Sequence, residues 1–119
     1  MAVVPRTLLA EVARLFSLLS DETRLRLLSE LHESGEASVG DLAARSEIGL
    51  ANASQHLNRL AAAGLVGRRR NGKSVLYRIA DPRVEELCAI VCAGVQERAQ
   101  AIAAVGEPPR RRRAQTSAA

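Results

Sequence analysis

With 119 residues the chain is large enough to bury one modest core, and small enough that a second copy would add appreciably to its stability. Its net charge of +4 is moderate, but the basic residues are gathered into a few runs, and a single Phe and a single Tyr supply no aromatic platform for stacking single-stranded bases. Met1 to Thr7 lacks the charged-then-apolar order of a signal peptide, no apolar run approaches the roughly 18 residues of a membrane span, and Cys88 and Cys92 make no disulfide framework, so a cytoplasmic, reducing setting is expected.

Residues 1–6 read as an N-terminal extension. Leu8, Val12, Leu15 and Leu19 then recur at helical spacing, widened by Leu9 and Phe16, which predicts an amphipathic helix over 7–19. Ser20-Asp21-Glu22 begins a second helix that runs to about His32, with acidic residues where the helix dipole favours them and Leu25, Leu28 and Leu31 as its buried stripe. Ser34-Gly35-Glu36 ends it. Ser38, with Asp41 three residues on, forms a capping box, so a third helix starts near Val39, buries Leu42 and Ala43, and reaches about Ser46. Glu47-Ile48-Gly49 interrupts the pattern, with Gly49 suited to a sharp turn.

The fourth helix begins near Leu50. Ala53, Leu57, Leu60 and Ala61 give its apolar face and leave Asn52, Gln55, Asn58 and Arg59 mostly on the other surface, until Gly64 terminates it. Residues 65–70 and 74–79 switch to short β-type runs around Asn71-Gly72, a type I′ turn signal, and Arg68, Arg69, Arg70, Lys73 and Arg78 crowd this hairpin. Asp81-Pro82 opens the last helix, with Asp as N-cap and Pro at the first helical position. Val84, Leu87, Cys88, Val91, Val95, Ala99 and Ile102 sustain its apolar face to about Val105, roughly 35 Å at 1.5 Å per residue, more than one small core requires. From Gly106 the periodicity stops, and Pro108, Pro109 and Arg110 to Arg113 predict a disordered basic tail over 106–119.

The expected fold is therefore mainly α with a small β-hairpin, a winged helix-turn-helix of order α-α-α-α-β-β-α over residues 7–105. Such a helix pair followed by a cationic hairpin suits double-stranded DNA: the helix offers amides to base edges, and the hairpin lays cations against phosphate. A solvated edge hairpin whose charges discourage strand pairing is the plainer reading of the same arginines. The basic tail is either a solubilising end or a nonspecific DNA arm. Helices 7–19 and 82–105 are the candidates for a two-fold interface, which would offer two recognition helices to successive major grooves of a near-palindromic site.

Ser20-Asp21-Glu22-Thr23-Arg24-Leu25-Arg26-Leu27-Leu28 resembles the start of the second helix in the ArsR/SmtB family of winged-helix repressors, where an Asp-Pro-Thr-Arg-Leu-type sequence is typical; Glu22 replaces the usual proline. Ser54-Gln55-His56-Leu57-Asn58-Arg59-Leu60, followed by Ala63-Gly64-Leu65-Val66, is similar to the family's recognition helix and its exit. Gly72-Lys73 and Tyr77-Arg78-Ile79-Ala80-Asp81 resemble its wing and the entry to its last helix. The resemblance covers about residues 8–102. It implies a homodimer that binds an inverted-repeat operator and commonly releases it when an inducer binds. Carried over by position, it points to Asn52, Ser54, Gln55 and Asn58 for the groove, and to Arg59, Arg68, Arg69, Arg70 and Lys73 for phosphate. Where many members begin this helix with polar residues, the chain has Gly49, Leu50 and Ala51. His56 has two readings, a base or phosphate contact and a structural residue that anchors the helix through a side-chain hydrogen bond.

For control, a transition metal ion is expected, nickel or zinc where imidazole and carboxylate are the donors or a thiophilic ion where thiolates are, although the chain matches the family's sites poorly. The thiolate pair of arsenic- and cadmium-type sensors would fall within Val39 to Ser46, which has no cysteine. Of the zinc-type set on the last helix, Asp81 and Glu97 remain, whereas Arg83 and Gly94 stand at the intervening positions, and two oxygen ligands alone make a weak site. Cys88 and Cys92, one turn apart, are left as ligands for a soft ion, as redox-active thiols, or as small hydrophobes packed in a core. His32, beside Glu33 and Glu36, is a further metal ligand, a solvent-facing residue, or one interacting with its helix C-terminus. No nucleophile, base and orienting acid occur together and no phosphate-cradling glycine loop is present, which argues against an enzyme. The expectation is a homodimeric, sequence-specific regulator under metal control; the alternatives are a thiol redox-responsive or ligand-independent regulator, or a winged-helix module that binds an acidic protein.

Overall fold

The computed structural model describes residues 3–105, so the expected basic tail lies outside the described residues. A 3₁₀ turn at Arg6–Leu8 leads into α1 (Leu9–Leu19) and α2 (Glu22–Ser34). Then follow β1 (Ala37–Ser38), α3 (Val39–Ser46), α4 (Leu50–Ala62), the hairpin β2 (Val66–Asn71) and β3 (Ser74–Ile79), and α5 (Pro82–Ala104). This is the expected winged helix-turn-helix with one addition. β1 pairs antiparallel with β3, Ala37 opposite Tyr77 and Ser38 opposite Leu76, giving a three-stranded sheet of order β1-β3-β2. Two residues are too few for strand alternation to show in a sequence, and Ser38 has a second task at the start of α3.

Ser38 caps α3 as expected, and Asp21, expected only as an acidic residue favoured by the helix dipole, is the N-cap of α2. Asp21 accepts the Arg24 amide at 3.0 Å, and Ser38 Oγ accepts the Asp41 amide at 3.1 Å, each satisfying a donor that the first helical turn leaves unpaired. Both α3 and α4 end in a Schellman arrangement. At the exit of α4, Gly64 N–H reaches Ala61 O (3.0 Å) and Leu65 N–H reaches Leu60 O (3.0 Å), with Gly64 left-handed at φ 80°. At the exit of α3, Glu47 N–H reaches Ala44 O and Ile48 N–H reaches Ala43 O. The left-handed residue there is Glu47, at φ 58°, whereas Gly49 is an extended N-cap at φ −68°. The sharp turn expected of Gly49 is thus made two residues earlier, because the helix exit, and not the entry to the next helix, needs the positive φ.

The wing turn also differs from expectation. Asn71 pairs with Ser74, so Gly72 and Lys73 are the two loop residues, and Gly72 takes φ 65° while Lys73 has no positive φ. Glycine at the first loop position with positive φ there alone is the type II′ pattern, in place of the type I′ turn centred on Asn71-Gly72.

By compactness the chain forms two units that divide between Glu85 and Glu86. In the first, α2 packs on α3, α4 and β3, and Leu27, Leu31, Leu42, Leu57 and Leu60 are fully buried between them. Each such side chain contributes about 2 kcal/mol by leaving water. The inward stripe of α2 runs Arg24, Leu27, Leu28, Leu31, so Leu25, expected inside, is 40% exposed. Spacing alone fitted Leu25, Leu28 and Leu31 equally well; the helix is turned so that an arginine takes the first inward position.

In the second unit, α5 runs on from Glu86 with Ile90 (70% exposed), Val91 (55%), Val95 (64%) and Ile102 (50%) open to solvent in the single chain. By length and composition alone Pro82–Ala104 would pass for a membrane span, at a mean hydropathy of 1.2, so the expectation that no stretch approaches span length does not hold. Its isoleucines, valines, cysteines and alanines raise the average, while Glu97 and Arg98 would sit at costly depth in a bilayer.

Candidate nucleic-acid interface

The buried residues Ala53, Leu57 and Leu60 fix how α4 is turned. Residues at i, i+3 and i+7 on its far side then face solvent together, and Asn52, Gln55, Asn58 and Arg59 are all exposed, with Ser54 half-buried at the margin. The start of this exposed face is apolar: Leu50 is exposed beside Ala51.

In β2, alternate side chains point to opposite faces of the wing, which divides its arginines. Arg68, opposite Tyr77, turns to α4 and donates from its guanidinium to Asn58 Oδ1 at 2.8 Å. The Tyr77 hydroxyl donates to the same oxygen at 3.5 Å. Arginine has only donors, so this contact assigns the amide of Asn58: its oxygen is committed to the wing and its NH₂ remains for another acceptor. Asn58, Ala61, Ala62, Val66, Gly67 and Arg68 line an open cleft of about 470 Å³ between α4 and the wing.

Arg69, opposite Leu76, has the other orientation. Its fork meets both carboxylate oxygens of Glu36, Nε to Oε2 at 2.8 Å and the terminal nitrogen to Oε1 at 2.9 Å. That hydrogen-bonded pairing holds the Glu36 carboxyl below its ordinary range and raises the already high value of Arg69. The Arg78 guanidinium lies across Gly67, its cross-strand partner, close enough that a Cβ on Gly67 would come within 3.3 Å of it. Arg70 and Lys73 are exposed towards the tip. Arg68, Arg69 and Arg70 form one run in the sequence; the alternation of the strand separates them, and Glu36, 33 residues before Arg69, carries no local signal of its role.

His56, on the flank of α4, is half-buried, and its Nδ1 accepts from Arg24 Nε at 3.1 Å. The same guanidinium donates to the Leu18 carbonyl at 3.2 Å.

Comparison with known proteins places this geometry. A helix-turn-helix domain model matches residues 19–69. The biofilm growth-associated repressor of Agrobacterium fabrum is 41% identical over 87 residues, covering 70% of this chain and 74% of that protein. The homodimeric winged helix-turn-helix DNA-binding domain of a possible ArsR-family regulator from Mycobacterium bovis superimposes with a TM-score of 0.72 at 35% identity, over 84% of this chain and 94% of that one. The chain belongs to the ArsR/SmtB family of winged helix-turn-helix regulators. A further similar structure is the AntR antimony-specific transcriptional repressor, with a TM-score of 0.75 at 34% identity over 84% of this chain and 90% of that one. As an ArsR/SmtB protein the chain is a DNA-binding transcriptional repressor and not an enzyme.

The sensing candidates of this ArsR/SmtB chain do not converge. Among the described residues no three His, Cys, Asp or Glu side chains are placed to hold an ion. His32, expected beside Glu33 and Glu36, instead meets Glu85 at 2.6 Å, and that hydrogen bond raises the imidazole above its ordinary 6.5. Asp81 accepts from the Arg83 amide and side chain, each at 3.0 Å, which holds its carboxyl low, and Glu97 is exposed on α5. These oxygen and imidazole donors do not fit a nickel or zinc site within one chain. Cys88, half-buried, and Cys92, exposed, are free thiols one turn apart, and burial pushes the Cys88 thiol up. They supply half of a four-coordinate thiophilic site.

Proposed function

We propose that this repressor binds an inverted-repeat operator in duplex DNA as a homodimer. Asn52, Ser54, Gln55 and the NH₂ of Asn58 read base edges, and Arg59, Arg68, Arg70 and Lys73 hold phosphate. The observation that carries this reading is the continuity of the exposed polar row of α4 with the wing through the Arg68–Asn58 bond. Arg69 is reassigned from phosphate contact to a strut on Glu36. Homodimerisation is supported by the open apolar residues of α5, which a lone chain leaves in water, and by the homodimeric state named for the Mycobacterium bovis domain. Such a protein works in the cytoplasm, where the DNA is.

Control is proposed to act through Cys88 and Cys92 binding a thiophilic ion, in keeping with the antimony specificity named for a similar repressor. Oxidation of the same thiols is the second reading, favoured by the exposure of Cys92. The test is titration of the protein into its own upstream DNA, with and without As(III), Cu(I), Zn(II) and a mild oxidant, for wild type and for Cys88→Ser/Cys92→Ser. Under this reading one agent shifts wild-type affinity and leaves the double variant unmoved. A shared response in both proteins rules out the thiols, and no response to any agent leaves a constitutive repressor.

A further inference from the structure

We infer that Arg24 and His56 form a tie that sets the angle of the recognition helix, with His56 a positioning residue and not a DNA contact. Arg24 occupies the first inward position of α2, where a guanidinium must find partners or remain solvated at the cost of packing. It finds one in each of two neighbouring helices: the Leu18 carbonyl near the end of α1 and the His56 ring on α4, 32 residues away in sequence. Its own backbone is held by the Asp21 carboxylate at 3.0 Å. One side chain, fixed at its root, thus joins α1, α2 and α4.

The chemistry of the tie is specific. An arginine does not give up its proton, so Nδ1 of His56 must be the acceptor and the ring is neutral with its proton on Nε2. On α4, Asn52 lies four residues before His56 and Arg59 three after, so both share its side of the helix and any rotation at His56 moves them together. Without the tie, α4 samples several orientations, and the ordering then falls on the binding step.

The inference rests on α4 being the DNA-reading helix, and the experiment separates the two ideas. Affinity is measured for a duplex carrying the protein's own upstream region and for a scrambled duplex of equal length, using wild type, Arg24→Ala, His56→Ala, Arg24→Ala/His56→Ala, His56→Asn and His56→Gln. Each variant is checked for folding by circular dichroism and thermal melting. Asn places its carbonyl oxygen about where Nδ1 sits, and Gln places it one bond farther. Arg24→Ala and His56→Ala should each weaken specific binding about tenfold, with the double variant no worse than either single one. The slope of affinity against salt should not change, because no phosphate contact is lost. His56→Asn should recover most of the affinity and His56→Gln should not. The ¹⁵N shifts of His56 should report the Nε2–H tautomer. The tie is overturned if His56→Ala binds like wild type, or if His56→Asn is as weak as His56→Ala while Arg24→Ala is unaffected, the pattern of a direct DNA contact. If wild type prefers neither duplex, the proposed function fails, and the tautomer together with the coupling of the two alanine variants in thermal melts decides the tie.

Discussion

At the scale of single residues, the wing arginines differ because strand alternation gives them different partners. Arg69 is neutralised by a carboxylate and Arg70 has no such partner among the described residues, so Arg70→Ala should lower the salt slope of DNA binding by about one while Arg69→Ala leaves it nearly unchanged. Equal slopes for the two variants would refute the division. The strut has a pH signature as well. Glu36 is depressed in the folded protein below its ordinary 4.5, so its contribution to stability is present above that value and is lost as pH falls through the depressed one. Arg69→Ala should therefore melt with a shallower acid dependence than wild type. Ser46 is fully buried and its hydroxyl has no hydrogen-bond partner among the described residues, so Ser46→Ala should leave thermal stability unchanged or raise it. A drop in melting temperature would show that the hydroxyl has a partner in solution.

At the scale of elements, the helices end where short-range chemistry dictates, which is why their existence was legible in the sequence. Ser38 and Asp81 were readable as caps, and Gly64 as a stop. Gly64→Ala forces a Cβ into the left-handed region and should destabilise the fold by about 1 kcal/mol in denaturant titration. Less legible was anything that depends on pairing across the fold. β1 exists only because β3 lies beside it, and Glu47 takes the positive φ that a glycine two residues on seemed to invite. The His32–Glu85 contact, joining the end of α2 to the start of α5, belongs to the same class. The folded imidazole is raised above its ordinary 6.5, so the contact stabilises fully below that value and is lost as pH rises through the raised one. His32→Ala should flatten the pH dependence of melting above pH 6.5.

At the scale of the molecule, the order of elements and the two surfaces of α4 followed from hydrophobic period, because a helix that buries Ala53, Leu57 and Leu60 has no choice about what it exposes. The roles within that surface did not follow. His56 has two readings in the sequence, a DNA contact and an anchor, and its partner Arg24 on the inward stripe of α2 is visible only in the fold, as is the orientation that Arg68 gives the amide of Asn58. The sensing residues were least legible, since ligands scattered over the chain acquire meaning only when folding or a second copy brings them together. The proposed homodimer would cover the exposed valines of α5. Val95→Asp should shift sedimentation from dimer to monomer and weaken operator binding, because a single recognition helix reads only a half-site.

The most direct measurement is the affinity of the wild-type protein for its own upstream duplex and for a scrambled duplex of equal length, each followed across a salt series. The expected result is preference for the upstream duplex by about a thousandfold or more, with both affinities falling steeply with salt as several phosphate contacts are screened. Equal affinity for the two duplexes at every salt concentration would contradict sequence-specific reading by α4.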